Sequence, residues 1–301
     1  MTKYILMVFG GACSYGMLST FVKLANREGY RAAGISLLQA AIGMVVLWIM
    51  VVLSGKQKSK LREPIIPVLF TGVAIGLTTF VYYVSVEYIS ASLAVVILMQ
   101  FAWIGVLLSW IIFNERPERI QLFSIALIIA GTILASGITG SARLEISIKG
   151  VLYALLSAVT YAAYIVANGN VAKQMDTVKK SAITMTGSAA GIFLVNVNEL
   201  ISSPVIDLNL LKWASFLSLF GTIIPPLLFA RGIPRIGAGL SSLIMTVELP
   251  VAVLFAHIVL GEQLEPTQWG GITIMLLALF LLNAQKAGWL KNKRRYPERD
   301  A

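Results

Sequence analysis

Apolar residues run through this chain in blocks of about 20, parted by short polar stretches. Blocks of that length span a hydrocarbon layer of roughly 30 Å as helices. The pattern predicts ten spans, at about 4–25, 32–54, 65–86, 91–113, 120–138, 149–170, 181–201, 212–232, 239–260 and 267–285. "NREGYR", "GKQKSKLREP", "NERPER" and "AKQMDTVKK" punctuate them. The first run follows Lys3, as in a leader, but it is long, carries Ser14 and Tyr15 and lacks a small-residue cleavage motif, so it reads as a retained span.

Composition agrees with the pattern. The chain has 301 residues, 57% hydrophobic and 13% charged, with mean hydropathy +0.83. A soluble domain carries about 25% charged residues. The fold class expected is an all-α integral membrane protein with ten transmembrane helices. The net charge of +10 does not indicate nucleic acid, because Lys and Arg sit in short loops and the tail. With the N-terminus inside, 18 of the 24 fall on the inner side, which predicts a cytoplasmic-membrane protein with both termini in the cytoplasm. The tail 287–301 is basic and reads as a solvated stop that also touches anionic lipid.

An internal repeat is present. "YISASLAVVILMQFAWIGVLLSWIIFNERPERIQ" aligns without gaps on "RIGAGLSSLIMTVELPVAVLFAHIVLGEQLEPTQ". Its most telling part is polar: Glu115, Glu118 and Gln121 against Glu262, Glu265 and Gln268. Tyr15 in "ACSYG" stands opposite Tyr161 in "AVTYA". The reading is a first five-helix repeat over 1–140 and a second over 141–286. Five spans are an odd number, so the second repeat is inverted. Inverted repeats are a transporter architecture, because the halves can exchange conformations around a central site.

Several residues are candidates for that site. Glu248 is an acid near the middle of the ninth span, where it should face the bundle interior or a water-filled cavity. Pro250 lacks an amide donor and is expected to break the helix, freeing the carbonyl of Thr246 beside the carboxyl. Helical spacing puts Ser241, Ile244, Met245, Ala252 and Phe255 on Glu248's face. The repeat sets Phe101 opposite Glu248, with Gln100 beside it. Gln39 and Gln100 are expected to line the cavity, with Tyr15, Tyr82, Trp103 and Tyr161 as aromatic walls; Tyr83 and Tyr164 are further aromatic candidates. Each also has a plain structural reading as packing or helix-to-helix hydrogen bonding. His257 falls out of phase with Glu248 and reads as an outer-end residue. Gly72/Gly76 and Gly187/Gly191 read as close-packing pairs, and Glu115 and Glu262 as holders of loop or helix ends. There is no P-loop, and one His with one Cys cannot form the usual metal clusters, so no cofactor is expected.

"FNERPE", "LGEQLEP", "VELPVAVLFAHIVLGE" and "CSYGMLSTFVKLA" resemble the ten-span EamA-type members of the drug/metabolite transporter superfamily. The likeness covers essentially the whole chain. Many members have Trp where this chain has Tyr15 and Tyr161. The resemblance implies a secondary transporter, usually an exporter of small metabolites, amino acids or drugs, with a cavity between two halves. The expected partners are a small-molecule substrate, membrane lipid and protons, the last through Glu248 as coupling group. The rivals are an uncoupled facilitator or exchanger and, from another class, a membrane-embedded enzyme or scaffold.

Overall fold

The computed structural model describes residues 2–54, 64–114, 116–136, 147–172, 174–202, 207–236, 241 and 244–286. Glu115 and the tail 287–301 lie outside them. Helices occupy nearly all of the described chain, and it contains no strand. They are α1 (Thr2–Arg27), α2 (Ala32–Leu53), α3 (Ile65–Tyr88), α4 (Ala91–Leu98), α5 (Phe101–Phe113), α6 (Arg119–Ala135), α7 (Ile148–Asn170), α8 (Thr177–Ser202), α9 (Leu208–Ser218), α10 (Ile224–Ile236), α11 (Glu248–Leu260) and α12 (Pro266–Lys286). A π-helical turn, Leu219–Ile223, joins α9 to α10.

Among the described residues, six apolar stretches are long enough to cross a membrane: Thr2–Arg27, Ala32–Leu53, Ile65–Tyr88, Ala91–Phe113, Ile148–Asn168 and Leu208–Phe229. Three shorter apolar helices accompany them, Arg119–Ala135, Glu248–Leu260 and Pro266–Leu282. Large apolar side chains face outward, with Leu53 78%, Ile111 76% and Ile258 75% exposed. In water such a surface would drive aggregation, whereas hydrocarbon carries no penalty for it. The protein is a multi-pass membrane protein.

Local sequence explains the helix ends. Ser90, Ser147 and Asp207 accept the N3 amides of α4, α7 and α9 through their side chains. Glu118 and Gln121 form a capping box at α6. Gln268 Oε1 accepts the Glu265 amide, 2.9 Å, at the start of α12. Asn114 and Gly261 close α5 and α11 in the left-handed region, at φ 58° and 70°. At the π turn, Pro225 and Pro226 follow directly and offer no amide to the preceding turn. One extra residue per turn accommodates this, and the Phe220 carbonyl takes a hydrogen bond from Ser14 Oγ instead.

Close helix crossings set the arrangement. α1 packs on α10 and α11, α3 on α7 and α8, α2 on α8 and α9, and α6 on α12. The two expected glycine pairs meet each other: a Cβ on Gly72 would lie 2.1 Å from the Thr184 carbonyl oxygen, and one on Gly187 2.1 Å from that of Leu69. They bring α3 against α8 within the chain.

Candidate functional site

A cavity of about 540 Å³ runs between the helices, from Glu248 to the α7–α8 connection. Tyr15, Gln39, Tyr82, Tyr161 and Glu248 all stand in its wall. They come from α1, α2, α3, α7 and α11, so five helices converge on one space.

Glu248 is the first residue of α11, not the middle of a continuous helix. The chain turns at Thr246–Val247 and restarts as helix at Glu248. This corrects the expectation for Pro250. It stands in the first turn of α11, where an amide has no helical acceptor anyway. The Thr246 carbonyl is not freed either, because it accepts the Leu249 amide at 3.3 Å. The break also dissolves the expected shared face. Ala252 is buried in a core with α6 and α12 residues, and Phe255 packs on Phe21, ring centres 6.3 Å apart.

The position of Glu248 has two physical consequences. A carboxylate in the first turn faces the positive end of the helix dipole. Its oxygens take no hydrogen bond from any described residue, while the Tyr15, Tyr82 and Tyr161 hydroxyls lie within its electrostatic reach. Gly16 makes room for the approach: a Cβ there would lie 2.7 Å from the Glu248 carbonyl oxygen and 2.8 Å from Val251 Cγ1. The Tyr15–Gly16 pair thus supplies one wall ring and the contact that lets α11 close on α1.

Gln39 is only 5% exposed and is held at both ends of its amide. Tyr83 donates its hydroxyl proton to Gln39 Oε1, 2.6 Å, and Gln39 Nε2 donates to Thr222 Oγ1, 3.4 Å. This chain ties α2 to α3 and to the π turn. The rings are set by one another: Tyr15 tilts on Phe229 at 5.7 Å, Tyr161 stacks with Tyr164 at 6.1 Å, and Phe101 meets Tyr161 edge-on at 4.7 Å.

Gln100 and Trp103 stand apart from the cavity. α4 stops at Leu98 and α5 begins at Phe101, so Gln100 sits in the gap. Its Nε2 donates to Thr132 Oγ1 (2.6 Å) and to the Val96 carbonyl (3.1 Å), and its Oε1 accepts Trp103 Nε1–H (2.8 Å). The side chain is consumed by the break and points to α6.

Sequence reasoning missed Lys180 and the hydroxyl-rich wall of α8. Lys180 stands at the cavity's far end and donates to the Asn168 and Val171 carbonyls, 2.8 and 2.7 Å, at the end of α7. Its place in the punctuation "AKQMDTVKK" suggested only a loop charge. Thr184 and Ser188 also line the wall, one turn apart on α8.

The opposite end is closed by polar contacts. Lys23 donates to the Val86 and Ile89 carbonyls where α3 ends. Glu262 accepts the amides of Ala91 (2.8 Å) and Ser92 (3.1 Å) and the Ser92 hydroxyl (2.6 Å) at the start of α4. Glu87 accepts the Ala32 amide, 2.8 Å, at the start of α2. His257 Nδ1 lies 2.7 Å from the Glu262 carbonyl oxygen, away from the cavity.

A family model matches the chain twice, over residues 2–137 and 148–284. The chain belongs to the EamA-like transporter family. This agrees with the drug/metabolite transporter likeness of its motifs, and the family's members are transporters, not enzymes. An uncharacterized transporter of Bacillus subtilis, YcbK, is 22% identical over 290 residues, 91% of either chain. An uncharacterized transporter of Synechocystis, sll1319, is 24% identical over 241 residues, 77% of this chain and 72% of that one. A solved crystal structure superposes with TM-score 0.67 over 97% of this chain and all of the other, at 16% identity. At that identity the likeness speaks for the fold alone.

Proposed function

We propose that this EamA-like transporter is a secondary transporter of the cytoplasmic membrane. It exports a small organic solute, a metabolite, amino acid or drug, by alternating access. Ten spans form two inverted five-helix repeats, 1–140 and 141–286, with both termini in the cytoplasm. The observation that carries the reading is the cavity, which reaches one end of the molecule while polar contacts close the other. By the distribution of Lys and Arg, the end it reaches is cytoplasmic.

Several features support the inverted repeat. The family model matches each half once. Helices restart at Phe101 and Glu248, left-handed caps fall at Asn114 and Gly261, and Gln-capped starts fall at Glu118 and Glu265. The two members of each pair stand at aligned positions of the two halves. Exchanging the halves leaves the main neighbours unchanged: α1 against α10 and α11 becomes α7 against α3 and α5, while α2–α8 and α6–α12 map onto themselves. Two such halves can trade conformations, opening the cavity on the other face.

In this mechanism Tyr15, Tyr82 and Tyr161 enclose the solute and Glu248 takes its charge or a coupling proton. Gln39 holds Tyr83 and the π turn in register. The test is solute flux into proteoliposomes, with and without an imposed pH gradient, for wild type and Glu248→Gln. Gradient-driven flux lost in the variant supports proton coupling. Equal flux in both, indifferent to the gradient, makes the protein a facilitator.

A further inference from the structure

We infer that the substrate is an organic monocation, an amine carried on an aromatic or apolar body, and that the cavity discriminates against carboxylate-bearing analogues. The inference rests on the transport reading and narrows it from small organic solutes to one charge class.

The charges of the cavity wall are unbalanced. Among the described residues, Glu248 and Lys180 are its only charged side chains. They are not equivalent. The Lys180 ammonium is engaged by two carbonyls at the C-terminal end of α7, where a cation is satisfied by the helix end itself. The Glu248 carboxyl takes no hydrogen bond from the described residues and is half-buried against the cavity. Among the described residues the uncompensated formal charge in the wall is therefore negative. A charge half withdrawn from water without a partner is costly, and a cationic ligand supplies the missing partner.

The rest of the wall suits the same ligand. Tyr15, Tyr82, Tyr161, Tyr164 and Phe229 surround the approach to Glu248. Ring faces attract cations and bury apolar bodies. A zwitterion fares worse. Its carboxylate would bring a second negative charge into a space that holds Glu248, and Lys180, the one lysine among the described wall residues, is already engaged.

The test is isothermal titration calorimetry on the full chain in lipid nanodiscs, with one indole body and four head groups: tryptamine, tryptophol, indole-3-acetate and tryptophan. Tryptamine is expected to bind about 30-fold more tightly than tryptophol, the gain from pairing a desolvated charge. Indole-3-acetate and tryptophan should be weaker still. Glu248→Gln should remove the advantage of the amine over the alcohol, and Glu248→Asp should retain part of it. Unfolding temperatures establish that both variants are folded, and Glu248→Asp carries the test if Glu248→Gln does not fold. The inference is overturned if the alcohol, the acid or the amino acid binds as tightly as the amine. It is also overturned if the preference survives Glu248→Gln, or if none of the four binds. None of these results touches the transport reading, which falls only if no solute moves in the flux assay.

Discussion

The two helix breaks at the heart of the molecule occupy the same place in the two halves and have opposite chemistry. Between α4 and α5, Gln100 closes the gap by bonding to Val96, Thr132 and Trp103, and Phe101 begins the next helix on the Tyr161 ring. Before α11 the Leu249 amide bonds to the Thr246 carbonyl across the turn, and Glu248 begins the next helix with its carboxyl toward the cavity. One break is satisfied by Gln100 and its neighbours, and the other carries a carboxyl that takes no hydrogen bond from the described residues. The lesson is that symmetry here belongs to the backbone. The family model matches both halves, yet only one of the two aligned positions carries an acid.

Substitutions can break that comparison outright. Phe101→Glu puts a carboxylate at the place equivalent to Glu248, but in a packed core rather than beside the cavity. It should cost about 3 kcal/mol or prevent insertion. Thermal unfolding in detergent measures it, and an unaltered midpoint would mean that the two breaks are interchangeable. Next is Gly16→Ala. Its methyl would meet Glu248 backbone 2.7 Å away, so α11 must move and about 1–3 kcal/mol is lost. The control is Gly105→Ala in α5, where nothing lies within 4 Å of the added carbon. That change should be neutral or stabilise by up to about 1 kcal/mol. Equal effects at the two glycines would refute the close approach of α1 and α11.

A gentler probe sharpens the comparison. Gln100→Leu deprives Trp103 Nε1 of its acceptor and Thr132 of a donor, for about 1–2 kcal/mol of stability. Because Gln100 faces α6, the order of solute preference should stay as in wild type; a changed order in a competition flux assay would put Gln100 back in the cavity. The smallest effect is expected at the closed end. The Leu210 amide, and then the Tyr30 hydroxyl at 2.8 Å, hold the Asp207 carboxyl below its ordinary range. A carboxyl depressed in the folded state contributes stability above its unfolded value of about 4. That contribution fades as pH falls through the lower folded value. Tyr30→Phe should therefore lower stability slightly at neutral pH, where the contribution is fully present, and the difference from wild type should shrink as pH falls below about 4, read from unfolding midpoints across pH.

Much of the molecule was legible because membranes impose simple rules. Backbone amides must be satisfied inside the chain, so apolar runs of the right length become helices wherever they occur. The capping residues Glu118, Gln121, Gln268 and Ser90 are local devices that act within one turn, and the sequence displays them directly. The need for Glu248 to turn away from lipid follows from the cost of a charge in hydrocarbon, whatever the fold. What it faces, and that it heads a helix, could not be read. The break at Met99–Gln100 contains neither proline nor glycine, and the proline at the other break lies after the turn rather than in it. The break at Met99–Gln100 depends on Thr132, a group supplied by another helix.

The same division runs through the site. Composition and periodicity alone determined that the chain crosses a membrane as helices and that polar side chains turn inward. Those properties depend on residues within a few turns of each other or on the solvent around them. Only the tertiary structure decided that Gln100 is spent on Thr132 and Trp103 while no described residue bonds to the Glu248 carboxyl, and that Lys180 is answered by the end of α7. Only there does Gly16 become the contact that brings the acid to the tyrosines. Those outcomes turn on which side chains from distant segments reach a polar group first, and no local pattern encodes that competition.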